Sequence, residues 1–157
     1  MILSVSELFG LCKNWYYFAY MNFWLIKSEP FKYSWDKFMK DGNTFWDGVR
    51  NYQARNNLQG MELGDLCLFY HSNEGKEVVG VAEVVKTHYQ DPTTTETAWV
   101  VVDVKPVYPL KNAVSLSVLK SDPRLSNIGL IKQPRLSVIA ITKEEFETVI
   151  LLSNESA

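Results

Sequence analysis

Short apolar runs alternate along this chain with polar clusters rich in Gly, Pro, Asn, Asp and Ser, the pattern of buried strands joined by turns. The run Phe23-Trp24-Leu25-Ile26 predicts a strand over 23–27, ended at Ser28-Glu29-Pro30 because proline supplies no backbone N–H. Ser34 is placed to cap a helix over 35–39, which Asp41-Gly42 stops. Trp46-Asp47-Gly48 reads as a turn, and helix formers over 52–61 predict a short helix before Leu63-Gly64-Asp65. A fully apolar strand over 66–70 is followed by hairpin chemistry at Asn73-Glu74-Gly75-Lys76 and a partner strand over 78–85. The polar loop Asp91-Pro92-Thr93-Thr94-Thr95 leads into a strand over 98–107. Its alternation of Val100, Val102 and Val104 against Val101, Asp103 and Lys105 buries one face more than the other. Ser115 caps a helix over 116–120 that ends at Ser121-Asp122-Pro123. After a last strand over 136–141, the capping box Thr142-Lys143-Glu144-Glu145 opens a helix to about 152.

No repeat, low-complexity run or linker divides these elements. Four or five strands with short peripheral helices predict an α+β domain around a small curved sheet or barrel. The domain is expected over residues 21–152, with a frayed tail over 153–157. Residues 1–20 read differently: they are apolar and aromatic, but Glu7, Lys13 and Asn14 interrupt them short of the ~20 apolar residues a membrane helix needs. They also lack the basic start and small-residue cleavage site of a secretory signal. Met21 looks like the natural start, leaving 1–20 as an extension; the competing reading is a short amphipathic helix packed on the domain. No membrane association is expected.

Composition narrows the function. At 157 residues, 46% apolar and 22% charged, the chain is long enough for one buried core. The net charge of −2 excludes a protein that coats duplex DNA by charge alone, so any nucleic-acid role must rest on a local patch and a specific pocket. Cys12 and Cys67 form no metal motif, and His71 and His88 are too scattered for one, so no metal or cofactor is expected.

The least ordinary stretch is Trp46-Asp47-Gly48-Val49-Arg50-Asn51-Tyr52-Gln53-Ala54-Arg55-Asn56. Read blandly, Trp46 is core and Asp47-Gly48 a turn. Read functionally, the Trp46 indole stacks on a planar ring, Gly48 lets backbone N–H groups approach ring acceptors, Asn51 pairs with a base edge, and Arg50 or Arg55 meets phosphate. Residue chemistry leaves the two readings balanced. Lys27-Ser28-Glu29-Pro30 and Phe69-Tyr70-His71-Ser72 share that ambiguity between pocket mouth and ordinary strand exit. Glu83 lies in an apolar run and must point outward or find a partner inside. From Lys120 to Arg135, the cations Lys120, Arg124, Lys132 and Arg135 outnumber Asp122, forming either a solvated face or a phosphate-facing patch.

Taken together, Trp24-Leu25-Ile26-Lys27-Ser28-Glu29-Pro30, the stretch from Trp46 to Asn56, Gly64-Asp65 and Phe69-Tyr70-His71-Ser72 resemble the EVE domain family. So do Val79-Gly80-Val81-Ala82-Glu83-Val84-Val85, Asp91-Pro92-Thr93, Trp99-Val100-Val101-Val102-Asp103-Val104 and Arg135-Leu136-Ser137-Val138. The resemblance runs in order over about 22–151. It implies a PUA-like fold, related to YTH readers of methylated adenine and to ASCH domains. It also implies binding of a modified base, cytosine or adenine, in DNA or RNA, flipped into an aromatic-lined pocket without catalysis. Trp46 matches the pocket tryptophan, and Lys27, Ser28, Gly48, Val49, Asn51, Tyr70 and His71 fall in motifs lining the same cavity. Arg50, Arg55, Arg124, Lys132 and Arg135 are the phosphate candidates. Extruding a base costs a few kcal/mol, and stacking returns roughly 1–3 kcal/mol. Some ASCH relatives are amidohydrolases, so the alternative is a small amidohydrolase on a modified nucleoside using Lys27, Ser28 and Glu83. That alternative requires Glu83 to face the cavity within reach of Lys27. A monomer is expected, cytoplasmic, and associated with the nucleoid or nucleus according to its host.

Overall fold

A computed structural model of the chain describes residues 21–155. The elements run β1 (Phe23–Ser28), α1 (Trp35–Asp41), β2 (Thr44–Phe45), α2 (Tyr52–Gly60), β3 (Leu66–His71), β4 (Glu77–Gln90) and β5 (Val100–Ser115). They continue through α3 (Leu116–Ser121), a 3-10 turn at Pro123–Leu125, α4 (Gly129–Lys132), β6 (Val138–Ile141) and α5 (Lys143–Glu155). Six strands form one mixed, curved sheet that does not close, in the order β2-β5-β4-β3-β1-β6. The architecture is the expected PUA-like α+β arrangement. The sixth strand is β2, too short to leave a pattern in the sequence. The readings of residues 1–20 lie outside the described residues.

The uninterrupted apolar runs of β1 and β3 have a direct cause. These two strands pair in parallel at the sheet centre, and every residue from Phe23 to Ile26 and from Leu66 to Tyr70 is buried. Their register sets Lys27 beside Tyr70 and Ser28 beside His71, so both carboxyl ends open at one end of the sheet. β6 flanks β1 antiparallel on the far side. Asp65, 2% exposed, fixes the entry of β1 by accepting the backbone N–H groups of Asn22 (3.1 Å) and Glu62 (2.9 Å) and the Trp24 indole N–H (2.9 Å).

β4 and β5 form the long curved part of the sheet, with register shifts between Val78/Gly80, Val81/Ala82, Val84/Lys86 and Lys86/Tyr89. β5 does not stop near 107 as expected but runs to Ser115. Pro106 and Pro109 stand opposite Ala82 and Gly80, beside two of those shifts, where a missing N–H interrupts no regular ladder. Gly80 also lets α1 dock: a Cβ there would sit 2.4 Å from the Trp35 ring.

The helix ends follow side-chain chemistry. Ser34 accepts from the Lys37 N–H, Ser115 from Val118, and Thr142 and Glu145 make the reciprocal bonds of a capping box at 3.0 and 2.8 Å. The last helix reaches Glu155, past the expected end. Ser153 is buried and exchanges hydrogen bonds with Asn112 of β5, which prevents fraying over 153–155. Among the described residues no helix is long and apolar enough to cross a membrane.

Candidate functional site

The open end of β1 and β3 is the floor of a cavity of about 780 Å³, within the range of small-molecule sites. Lys27 and Ser28 enter it from β1, Tyr33 from the following loop, and Tyr70 and Ser72 from the end of β3. The segment from Thr44 to Gly48 forms one wall, the β3–β4 hairpin contributes Asn73 and Lys76, and the approach to β6 contributes Pro134, Arg135 and Ser137.

Trp46 is held on that wall by the backbone. Its N–H donates to the Val102 carbonyl at 2.8 Å, extending the β2–β5 pairing by one residue. The indole is 7% exposed and packs edge-on against Phe69 (5.6 Å) and Tyr33 (6.3 Å). Trp46 is therefore both core and cavity wall. Gly48 turns the chain with φ +77°, a conformation L side chains avoid, while nothing lies within 4 Å of where a Cβ would stand. Among the described residues neither the Asp47 nor the Gly48 backbone N–H has a hydrogen-bond partner.

Polar groups around the rings have defined directions. Lys27 donates one N–H to the Pro134 carbonyl (2.8 Å), and burial draws its pKa below the ordinary lysine value. Ser28 donates to the Tyr33 carbonyl (2.6 Å), which leaves its oxygen lone pairs for an incoming donor. Tyr33 is pushed up to about 12, first by burial and then by its hydrogen bond to Asp41; burial also raises Tyr70. Both phenols stay neutral at physiological pH.

Of the residues named from sequence, Lys27, Ser28, Trp46, Gly48, Tyr70 and Arg135 line the cavity, whereas Val49, Asn51 and His71 do not. Val49 is buried in the core. The Asn51 side-chain oxygen caps α2 by accepting the Ala54 N–H at 3.0 Å. His71 alternates to the other face of β3 from Tyr70, and its Nε2 accepts the Trp35 backbone N–H at 3.1 Å.

Three of the five phosphate candidates already have acceptors. Arg50 pairs with the buried carboxylate of Asp91 at 2.8 Å and lies over the Trp99 ring. Burial pushes the Asp91 pKa up, but hydrogen bonds from Thr93 and Arg50 outweigh it and hold the carboxyl below the usual range. Arg55 bonds the Ala98 carbonyl and the Asn56 side chain, over Tyr52. The Arg124 guanidinium donates two hydrogen bonds to the Asp122 carboxylate, at 3.0 and 2.7 Å. Lys132 and Arg135 are exposed without such partners. Lys32, Tyr33 and Lys76 also line the cavity, though nothing in the sequence gives them a site role: they sit in polar turns, where no periodicity marks a facing surface.

The alternative catalytic set is not assembled. Glu83 stands outside the cavity, paired across the ladder with Lys105 at 3.5 Å, half-exposed. Its neighbours in β4 face inward, so alternation turns Glu83 away and nothing brings it to Lys27.

Comparison with known proteins agrees with this geometry. The EVE domain family model matches residues 22–152. Thymocyte nuclear protein 1 of Gallus gallus is 36% identical over 166 residues, covering 84% of this chain and 69% of that relative. The chain spans 56% of the Mus musculus counterpart. Protein Atu2648 from Agrobacterium tumefaciens superimposes with a TM-score of 0.83 at 44% identity, over 84% of this chain and 92% of that one. Human THYN1, solved in complex with DNA containing 5-methylcytosine, gives a TM-score of 0.81 at 34% identity, over 87% and 99%. With its motifs in order and its fold shared, the chain belongs to the EVE domain family.

Proposed function

We propose that this protein is a non-catalytic binder of a modified nucleobase, extruded from nucleic acid into the cavity beside Trp46. Modified cytosine in DNA is the first ligand to test. The observation that carries the reading is the composition of the wall: rings of Trp46, Tyr33 and Tyr70 beside polar groups of both kinds. The Lys27 ammonium and the free N–H groups of Asp47 and Gly48 suit the ring nitrogen and carbonyl acceptors of a base. The Ser28 oxygen and the Asp47 carboxylate suit its exocyclic amine. The 34% identical human protein bound to 5-methylcytosine DNA supports the ligand class. Arg135 and Lys132 remain the phosphate contacts favoured from sequence, joined by Lys76 on the rim.

Anisotropy titration at fixed salt tests the reading. The panel is matched oligonucleotides carrying 5-methylcytosine, cytosine, N6-methyladenine or adenine. One methyl group in a fitted apolar pocket is worth about 1–3 kcal/mol, so at least one modified base should bind roughly tenfold tighter than its parent. Trp46→Phe, which leaves less of a void than alanine, should weaken the preferred ligand and narrow that preference. Equal affinity across the panel sinks the proposal.

A further inference from the structure

The most exposed large apolar side chain among those described stands at the mouth of this cavity: Phe31 is 90% exposed. A single exposed phenylalanine is unremarkable on a protein surface. This one is displayed on a fixed turn. The N–H groups of Lys32 and Tyr33 both donate to the Glu29 carbonyl at 2.9 Å, and the Ser28 hydroxyl ties down the Tyr33 carbonyl. Pro30 restricts the backbone immediately before it. Glu29 and Lys32, on either side, both line the cavity. Phe31, between these two lining residues but not itself lining the cavity, therefore lies at the rim, beside the opening through which a base would enter.

Withdrawing a base from a duplex leaves a gap in the stack. Proteins that distort DNA hold such steps apart with apolar wedges, phenylalanine among them. We infer that Phe31 is the wedge that fills this gap, so that the protein takes its base from duplex DNA by exchanging the base for the Phe31 ring. The inference rests on the base-binding reading above. Lys76 and Arg135, exposed on the same rim without an acidic partner, suit the phosphates that flank the opened step. Phe31 packs against little, so removing it leaves the fold intact.

The experiment compares two probes by anisotropy at fixed salt: a 5-methylcytosine-bearing duplex and the same modified strand alone. Phe31→Ala should weaken duplex binding about tenfold or more while single-strand affinity stays within about twofold, since only the duplex has a gap to fill. Leu63→Ala, a truncation of another exposed apolar side chain (66%) whose chain neighbours do not line the cavity, should change neither. Unchanged duplex affinity in Phe31→Ala overturns the wedge, as does an equal loss on both probes. If the wild-type protein prefers neither modified probe over its unmodified counterpart, the base-binding reading itself falls and takes the wedge with it.

Discussion

Asn51 and Trp46 each carry two kinds of chemistry in one side chain. Asn51 is an amide in a motif full of recognition chemistry, yet its oxygen caps α2. That same property makes asparagine a good reader and a good cap, and only the position of the Ala54 N–H separates the two. Trp46 reads equally well as core or as pocket from its chemistry, and it packs on Phe69 and Tyr33 while also lining the cavity. His71 has a role no pattern announces. Its Nε2 must be unprotonated to accept the Trp35 N–H, and burial holds its pKa below the ordinary histidine value, against the opposing carboxylates of Glu77 and Asp36. Because the folded value lies below the unfolded one, the stabilising contribution is complete above about pH 6.5 and is lost as pH falls through the folded value. Urea midpoints at pH 7.5, 6.5 and 5.5 should therefore fall on acidification more steeply for wild type than for His71→Gln. Parallel curves would show that His71 does not couple.

At the scale of elements, the sequence was most informative where one local rule decides. The apolar runs of β1 and β3, the Ser34 and Ser115 caps and the Thr142–Glu145 box all appear where the residues put them. It was least informative where partners decide. Prolines at 106 and 109 argue locally against a strand, but β4 shifts register beside them and β5 continues. The two residues of β2 exist because β5 is there to pair with them. The same holds for the cavity: Lys27, Ser28, Trp46 and Tyr70 were legible through their motifs. Tyr33 and Lys76 join them only through the β1–β3 register and the hairpin that follows. α1 depends on a close approach as well, since the Trp35 ring occupies the space a side chain at position 80 would need. Gly80→Ala should cost about 1–3 kcal/mol by denaturant titration, with a change in tryptophan emission as Trp35 is displaced. An unchanged midpoint would mean that the sheet yields there without strain.

For the whole molecule, the proposed binding of nucleic acid by an acidic chain has few charges to draw on. Lys32 at the rim is engaged with Glu29, whereas Lys76 and Arg135 are free. With Lys132 as the third exposed cation proposed to meet phosphate, duplex binding should show a shallow salt dependence, a slope of about −3 in log K against log salt, and Lys76→Gln or Arg135→Gln should each flatten it by about one. Neither substitution should alter the ratio of modified to unmodified affinity. A slope of about −6 would point instead to a much wider charged face.

The cavity draws its walls from the carboxyl end of β1, the stretch around Trp46, the β3–β4 hairpin and the approach to β6, which lie more than a hundred residues apart in the chain. Unfolding any one of these segments dismantles the cavity. Occupancy and global folding are therefore one equilibrium: ligand at a hundredfold excess over its Kd adds about 2.7 kcal/mol to the stability of the entire chain. With the proposed base as that ligand, the protein would be protected from unfolding and proteolysis in proportion to the base it holds, so its abundance would itself register how much of that base is present.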